Sequence, residues 1–116
     1  MMASLLIYKI LPASSWQDAQ ESGAFSGAPV DIADGYIHFS TAEQVKETAA
    51  KHFAGQRDLV LLAVDSSQLV SSELKWEVSR GGALFPHLYG PLDLNAVRWA
   101  KPLPWDGAQH EFPELA

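Results

Sequence analysis

The sequence predicts an α+β fold: a single domain in which two short helices cover a curved, mixed and largely antiparallel sheet. Strand-like and helix-like segments alternate through the first half, and the second half holds a strand, a double glycine and a returning strand, the pattern of an antiparallel hairpin. A chain of 116 residues with 47% hydrophobic residues can bury one core. We expect one domain over 1–116, with its core at about 4–100 and an extended tail over 101–116.

The first strand and helix are predicted from an apolar run and its flanking residues. Residues 4–11 are rich in strand formers and predict a buried strand. Ser14 or Ser15 can cap a short helix of about two turns, which Gly23 would end. Glycine, proline and an Asp-Gly pair then recur over residues 23–35, which predicts a loop without regular structure.

A second helix is predicted after a short strand over residues 36–39. The segment Ser40-Thr41-Ala42-Glu43 matches a capping box, in which the first serine is the N-cap and the glutamate lies three residues later. Apolar side chains recur at every fourth position after it, until Gly55. The pattern therefore predicts a helix that begins at Ser40.

The remaining strands follow from an aliphatic run and from strict alternation. Residues 59–64 are unbroken aliphatics and predict a central strand buried on both faces. Apolar and polar residues alternate over 74–79, and Gly81-Gly82 predicts a hairpin turn with 83–89 returning alongside. The last predicted strand covers 94–99.

Composition excludes several classes of function. A net charge of −6, with only eight basic residues scattered along the chain, argues against binding to duplex nucleic acid but not against a nucleotide or a single phosphate. The absence of cysteine excludes disulfides, thiolate catalysis and cysteine-based zinc sites. No apolar run approaches the roughly 20 residues of a membrane span, so we expect no membrane insertion and a cytoplasmic location.

His38 is a candidate site residue because it lies just before the predicted start of the second helix, with only Phe39 between them. A phosphate or carboxylate there would meet free backbone amides, the hydroxyls of Ser40 and Thr41 and the positive end of the helix dipole, with His38 as a further donor. A purely structural interpretation is equally open. In that case Ser40 only caps the helix, and His38 is a half-buried strand residue bonded to a carbonyl group.

Glu77 and His87 are candidates because both occupy strands that favour other residue types. Glu77 could act as a general acid or base or accept hydrogen bonds from sugar hydroxyls, or it could simply face solvent. A tight hairpin would place Trp76 or Glu77 opposite His87, which makes a contact between histidine and carboxylate reasonable. Alternatively, His87 is a packed ring beside Tyr89.

Arg80 and a metal centre are weaker candidates. Arg80 precedes the double glycine and could reach a ligand phosphate, although most arginines at such turns are only solvated. His38, Glu77 and His87 are the residue types of a catalytic zinc site, but no His-x-x-x-His or His-Glu-x-x-His spacing is present. We therefore predict no metal.

The chain resembles a bacterial family known as domain of unknown function nine-five-two, from residue 6 to about residue 97. The segments that carry this resemblance are Ile7-Tyr8-Lys9-Ile10, Trp16, residues 34–45 (DGYIHFSTAEQV), Leu59-Val60-Leu61-Leu62, Leu74-Lys75-Trp76-Glu77 and residues 85–91 (FPHLYGP).

At greater distance the layout is similar to the ADP-ribosyltransferase fold. That likeness implies an early strand carrying Tyr8-Lys9, a strand ending in Ser40-Thr41 and a glutamate, Glu77, on a later strand. The family often carries histidine where this chain has Lys9, the position that would hold a nicotinamide ribose. NAD is therefore implied as a cofactor by fold analogy only, and the sequence itself identifies no cofactor.

Two functions are predicted from these residues. In the first, the chain is an enzyme acting on a ribosyl or nucleotide-like substrate, by ADP-ribosyl or phosphoryl transfer, with Glu77 polarising a sugar hydroxyl. In the second, it is a non-catalytic module that binds a small anion or nucleotide, and a third interpretation makes it an interaction domain that uses its aromatic tail. The sequence leaves the oligomeric state open. The predicted catalytic residues are His38, Glu77 and His87, and the predicted ligand-binding residues are Tyr8, Lys9, Tyr36, Ser40, Thr41, Arg80 and Tyr89.

Overall fold

The structure, a computed structural model, describes residues 5–115 apart from the side chain of Arg80. Its strands are β1 (Leu6–Pro12), β2 (Ala24–Phe25), β3 (Ile37–His38), β4 (Leu59–Asp65), β5 (Leu74–Val78), β6 (Leu84–Leu88), β7 (Leu92–Asp93) and β8 (Val97–Leu103). Its α-helices are α1 (Ala13–Ser22), α2 (Pro29–Asp34) and α3 (Val45–His52), and short 3-10 turns cover Ser66–Gln68, Arg80–Gly82 and Leu94–Ala96. The predicted first strand begins at Ser4, which lies outside the described residues.

The strands form three antiparallel sheets, with the orders β1-β4-β8, β3-β6-β5 and β2-β7. This confirms the α+β class, although the predicted parallel component is absent from the paired strands that the structure describes. An isolated bridge joins the first two sheets: the N–H of Tyr8 donates to the carbonyl of Ser40 at 2.7 Å, and the N–H of Ser40 donates back at 2.9 Å. The bridge brings the segment that follows β3 against β1, and residues of both sheets line one cleft.

β4 is the central strand that the aliphatic run predicted. Four consecutive residues, 61–64, have no exposed surface, because one side of the strand packs toward α1 and the other toward α3. A strand that is buried on both faces has no solvent-facing positions, so its apolar residues do not alternate with polar ones. The buried hydrophobic residues form two cores, one on each side of β4. The first includes Ile7, Leu11, Leu62 and Leu88, and the second includes Tyr8, Val45, Leu61 and Leu103.

The predicted loop over 23–35 is wrong, because it contains β2 and a third helix, α2. Pro29 occupies the first turn of α2, where its missing N–H is harmless, and Gly35 ends the helix with φ +89°. The same two residue types are also typical of turns, which explains the error. The prediction that Gly23 ends α1 is confirmed by its left-handed conformation, but α1 begins at Ala13 rather than after a serine cap.

The predicted helix start at Ser40 is also wrong. α3 begins at Val45, and residues 42–44 form a turn before it. Ser40 is held by its bridge to β1, so its backbone is extended and cannot begin a helix. Among residues 5–115, none of the helices is long and apolar enough to cross a membrane.

The predicted hairpin is present. Its strands pair one residue out of the register that a two-residue turn at Gly81-Gly82 would give. Residues 80–82 form a three-residue turn closed by a bond from the N–H of Ser79 to the carbonyl of Ala83 at 2.9 Å. Lys75 therefore lies opposite His87, and Trp76 lies opposite Pro86. Neither Trp76 nor Glu77 is the direct cross-strand partner of His87. Glu77 lies on the same face of the sheet as His87, two residues along β5 from Lys75, and is its diagonal neighbour.

The C-terminal part is more ordered than an extended tail. The last strand, β8, covers Val97–Leu103 instead of 94–99, since a 3-10 turn occupies Leu94–Ala96. Beyond it, the ring of His110 packs against Trp105 with 4.9 Å between centroids. Its Nε2 atom lies 3.0 Å from the carbonyl of Gln56. Phe112 packs against the core beside α3, so this segment covers one face of the molecule.

Candidate functional site

A cross-strand pair of histidines lies at the centre of the candidate site. His38 and His87 are direct partners in the β3–β6 ladder, and their ring centroids are 5.5 Å apart in an edge-to-face arrangement. The neighbouring pair, Ile37 and Leu88, is buried in the core. Because side chains alternate along a strand, burial of Ile37 and Leu88 fixes both imidazoles on the opposite face.

His87 is oriented by Glu77. The Nδ1 atom of His87 lies 2.8 Å from Oε1 of Glu77, and the ring is 3% exposed. Since the carboxylate can only accept, Nδ1 carries the proton of this bond. The Nε2 atom has no hydrogen-bond partner among the described residues. An imidazole with one nitrogen held by a carboxylate and the other free can act as a general acid or base toward a bound molecule.

Glu77 accepts a second hydrogen bond on the same oxygen, from the hydroxyl of Tyr89 at 2.7 Å. The bonds from His87 and Tyr89 lower the pKa of Glu77 below its usual value. The bond to Glu77 raises the pKa of Tyr89 to about 12. Both effects keep the carboxylate charged and the phenol neutral near neutral pH, which stabilises the contact that orients His87.

His38 lies between two carboxylates. Its Nδ1 atom is 2.6 Å from Oδ1 of Asp31, and its Nε2 atom is 2.9 Å from Oδ2 of Asp34. A neutral imidazole has one N–H and can donate only one of these bonds, so the ring makes both at once only when both nitrogens are protonated. Asp31 is buried, whereas the side chain of Asp34 is 47% exposed and can move away.

Asp31 also holds the buried Lys9. The ammonium lies 2.9 Å from one oxygen of Asp31 and 2.8 Å from the other. Burial raises the pKa of Asp31, but its bond with His38 and the charge of Lys9 more than offset this and lower the pKa to about 2. Burial lowers the pKa of Lys9, and the charge of Asp31 opposes that shift.

Asp31 is therefore the organising residue of this side of the site. Its two oxygens also accept bonds from the backbone N–H groups of Ala28, at 2.8 Å, and His38, at 3.1 Å. These bonds tie the start of α2 to β3, while the side-chain contacts tie both to Lys9 on β1. Loss of the carboxylate would leave a buried cation without its counterion, which is strongly destabilising.

Tyr36 packs against the aromatic side chains of the site. Its ring centroid lies 4.2 Å from that of His87, 4.7 Å from that of His38 and 5.1 Å from that of Tyr89. Burial, followed by the charges of Asp34 and Glu77, raises the pKa of Tyr36. The phenol ring limits the rotation of both imidazoles from one side.

A cavity of about 500 Å³ opens on the other side of the histidines. Its described lining includes the polar residues Lys9, Asp34, His38, Ser40, Thr48, His52, Gln56, Ser79 and His87, and the apolar or aromatic residues Tyr8, Ile10, Val30, Phe39, Phe53 and Phe85. This volume and this mixture of many apolar and several polar groups are typical of small-molecule sites. A second cavity, of about 370 Å³, lies between α3 and the C-terminal segment, and neither His38 nor His87 lines it.

Ser40 contributes to the cavity in a different way from the predicted one. Its hydroxyl lies 2.9 Å from the hydroxyl of Thr48, and Thr48 donates to the carbonyl of Gln44 at 3.1 Å. Since Thr48 has one hydroxyl proton, Ser40 is the donor in the bond between them and keeps its lone pairs as acceptors. The predicted anion site at the helix start is absent, because α3 begins five positions later.

The structure brings together most, but not all, of the predicted residues. His38, His87, Tyr8, Lys9 and Ser40 line the cavity, whereas Thr41 does not. Tyr36 and Tyr89 lie behind the histidines, and so does Glu77, which contacts His87 rather than the cavity. Glu77 thus contacts His87 and does not line the cavity, whereas the prediction had it contact a substrate directly. The side chain of Arg80 lies outside the described part of the chain.

Sequence reasoning missed Asp31 and Asp34, because both fall in the segment interpreted as a loop. A usable signal was present: Lys9 interrupts an apolar strand, and a buried lysine requires a carboxylate. Within residues 5–115 there is no cluster of three or more histidine, aspartate or glutamate side chains that could hold a metal ion.

Fold and site together define a class of protein: a small α+β domain whose cavity is lined by two neighbouring histidines, each bonded to a carboxylate. The family model described as "Protein of unknown function (DUF952)" matches residues 10–100. The chain belongs to this family, as its strand and histidine segments predicted.

Two solved structures are similar to this chain in sequence and fold. The crystal structure of protein CC0527 from Caulobacter crescentus is 51% identical, has a TM-score of 0.87 and is matched over 91% of this chain and 93% of that chain. The solution NMR structure of CC0527 is 52% identical, with a TM-score of 0.80 and coverage of 90% of both chains. None of the curated proteins compared with the chain matches it. These matches do not include an ADP-ribosyltransferase, so that resemblance is not confirmed.

Proposed function

We propose that the chain is an enzyme that acts on a small ribosyl or nucleotide-like substrate by histidine acid–base catalysis, of the phosphoryl-transfer type. One observation carries the proposal: two cross-strand histidines line the same cavity, and each has its Nδ1 atom on a carboxylate oxygen, at 2.6 and 2.8 Å. Chemistry that moves one proton to the substrate and another away from it needs two such groups around one reacting atom.

His87 is the proposed base. Its free Nε2 atom takes the proton of a water molecule or hydroxyl group that attacks the substrate, and Glu77 stabilises the cation formed. Glu77 is then a positioning residue, since it acts through His87 and does not line the cavity. General base catalysis of this kind contributes about 100-fold to 10,000-fold in rate.

His38 is the proposed acid. In its doubly protonated form it donates from Nε2 to the oxygen that leaves phosphorus, while Asp31 holds the ring through Nδ1. Asp34 occupies Nε2 at 2.9 Å and is half exposed, so a substrate oxygen can take its place. The proton that His87 gains and the proton that His38 loses balance one hydrolysis, and exchange with solvent restores both rings.

The cavity supports a substrate with a ring system and a polar end. The aromatic rings of Phe39, Phe53 and Phe85 suit the flat face of a base, and the Ser40 hydroxyl suits a sugar hydroxyl as an acceptor. A volume of about 500 Å³ is large enough for a mononucleotide. A cyclic phosphodiester of a ribonucleotide combines these features with a reaction that two histidines can catalyse.

NAD enters this proposal only as one of the compounds to be tested. Lys9, at the position that the fold analogy assigns to the nicotinamide ribose, is buried and has both oxygens of Asp31 as partners. The site therefore presents an internal ion pair where that analogy requires a group that contacts NAD. No step of the mechanism uses it.

The experiment is a turnover assay by chromatography with adenosine 2′,3′-cyclic phosphate, ADP-ribose and NAD, followed by assays of variants on the compound that is converted. We expect conversion of the cyclic phosphate and a loss of about 100-fold or more in His87→Gln. Glu77→Gln should lower the rate, because it removes the charge that orients His87 and stabilises the cation formed during the reaction. Glu111→Gln, which changes an exposed acid that does not line this cavity, is the matched control. No conversion of any compound, or full activity of His87→Gln, contradicts the proposal.

A second function, a non-catalytic module for a small anion or nucleotide, is favoured by one observation. Asp34 already occupies the Nε2 atom of His38, so an anionic ligand can be bound by exchange with Asp34, without chemistry. This function predicts a rise in melting temperature with a nucleotide that is recovered unchanged. Recovery of a chemically altered nucleotide would exclude it.

A further inference from the structure

Strand β5 is an open edge with apolar side chains in solvent. It is the last strand of the order β3-β6-β5. Trp76 is 39% exposed and Val78 is 70% exposed, and across the hairpin Leu84 is 52% exposed. Long apolar edge strands expose unpaired backbone groups and are prone to pairing with another strand. This edge therefore needs either protection or a partner.

The register of the hairpin shows which backbone groups are free. The N–H of Tyr89 donates to the carbonyl of Glu73 at 2.7 Å, and the N–H of Ser79 donates to the carbonyl of Ala83 at 2.9 Å. The odd-numbered residues of β5 therefore direct their backbone groups toward β6. In an antiparallel ladder the even-numbered residues direct theirs to the other side, which is the open edge.

The free groups belong mainly to Trp76 and Val78. No described residue bonds to their backbone groups on the open side. The N–H of Leu74 is already used by the carbonyl of Val70, at 3.2 Å, which leaves the Leu74 carbonyl free. A strand aligned here would meet one donor and one acceptor at Trp76, a donor at Val78 and an acceptor at Leu74.

The side chains of β5, Leu-Lys-Trp-Glu-Val, are complementary to those of a second copy that runs antiparallel to it. When two copies run antiparallel with Trp76 as the central pair, Trp76 faces Trp76, Leu74 faces Val78 and Lys75 faces Glu77. Each apolar residue then meets an apolar residue, and each charge meets its opposite. This alignment also pairs even-numbered residues with each other, which are the residues whose backbone groups are free.

We infer that a second copy of this chain pairs with β5 and forms a two-fold symmetric dimer with a continuous sheet of six strands, three from each copy. Trp76 N–H bonds to the Trp76 carbonyl of the other copy, and Val78 N–H bonds to the Leu74 carbonyl, each in both directions. The ammonium of Lys75 from one copy then lies beside Glu77 of the other, the residue that orients His87. The dimer interface and the cavity therefore share Glu77.

The test uses charge exchange across the two symmetric contacts. Lys75→Glu and Glu77→Lys each place like charges opposite each other in a homodimer, and each should weaken the dimer by about tenfold. An equimolar mixture of the two variants restores opposite charges at both contacts, so it should form a mixed dimer at least as stable as the wild-type dimer. Sedimentation velocity over a hundredfold range of concentration measures all three dissociation constants.

Ile32→Lys is the matched control, since Ile32 is 67% exposed but lies on α2 and not on the β5 edge. It should leave the dissociation constant unchanged, whereas Val78→Lys should raise it. Circular dichroism of each variant checks folding. The inference is overturned if the wild-type chain is a monomer at every concentration, if its dimer is insensitive to the β5 variants, or if the mixture associates no better than either variant alone.

Discussion

Two carboxylates hold the two histidines of the candidate site. Asp31 and Glu77 lie on different elements, and each has an oxygen within 2.8 Å of an Nδ1 atom. They differ in their surroundings: Asp31 is buried with Lys9, and Glu77 is partly exposed beside Tyr89. The role of Asp31 is therefore tested by measuring the free energy of unfolding, and the role of Glu77 by titrating the neighbouring Tyr89.

Asp31 makes stability depend on pH in the acid range. Its pKa in the folded chain, about 2, is below the ordinary aspartate pKa of 3.8. A lowered pKa contributes stability that is fully present above the unfolded value and is lost as the pH falls from about 4 to about 2. The loss amounts to about 2 kcal/mol for this group.

The measurement is urea unfolding of the wild type and Asp31→Asn at pH values above and below this range. Asp31→Asn should be less stable by about 3 kcal/mol near neutral pH, because Lys9 loses its counterion, and should lose less stability on acidification. Asp18→Asn, exposed on α1, controls for the loss of one charge. An Asp31→Asn variant with the full acid dependence of the wild type would contradict this role.

Tyr89 reports on Glu77. The hydrogen bond and charge of Glu77 raise the pKa of Tyr89 to about 12. Glu77→Gln removes the charge, so the pKa of Tyr89 should fall toward the ordinary value of about 10. Ultraviolet difference titration or NMR of the labelled ring measures it, and the Tyr89→Phe variant identifies its signal. An unchanged pKa in Glu77→Gln would show that the contact does not form.

Among the helices and strands, the sequence correctly predicted those whose residue pattern is typical of only one kind of element. The aliphatic run of β4 and the alternation of β5 fit only strands, and both were confirmed. α2 was missed because Pro29 and Gly35 serve both turns and helix ends. The start of α3 was misplaced because Ser40 matched a cap but pairs with Tyr8, a long-range contact that no local pattern contains.

The end of α2 links local conformation to the site. Gly35 has φ +89°, and a Cβ there would contact nothing within 4 Å, so Gly35→Ala tests the backbone conformation alone. The left-handed conformation costs a non-glycine residue about 1 kcal/mol. Gly23, with φ +91° at the end of α1 and equally open surroundings, is a matched control.

We expect both glycine variants to lower the free energy of unfolding by about 1 kcal/mol. Only Gly35→Ala should shift the side-chain NMR signals of His38, because Asp31 and Asp34 precede that glycine on α2. Equal shifts of the His38 signals in both variants would mean that α2 does not position this histidine.

At the scale of the whole molecule, the site exists only because three elements distant in sequence meet. Residue types identified His38, His87 and Glu77 as unusual, but their proximity depends on the β3–β6 register and on the three-residue turn at 80–82. A two-residue turn would have placed Glu77 on the face opposite His87. The acid pair on α2 depends on a helix that local patterns did not reveal.

The proposed reaction requires that Glu77 holds the Nδ1 atom of His87 and leaves its Nε2 atom free. Long-range proton–nitrogen NMR correlation of the histidine side chains measures this arrangement, with His87→Gln identifying the signal. We predict that neutral His87 carries its proton on Nδ1, that its Nε2 is unprotonated, and that Glu77→Gln changes this tautomer balance. A His87 ring protonated on Nε2, or one indifferent to Glu77→Gln, would contradict the account.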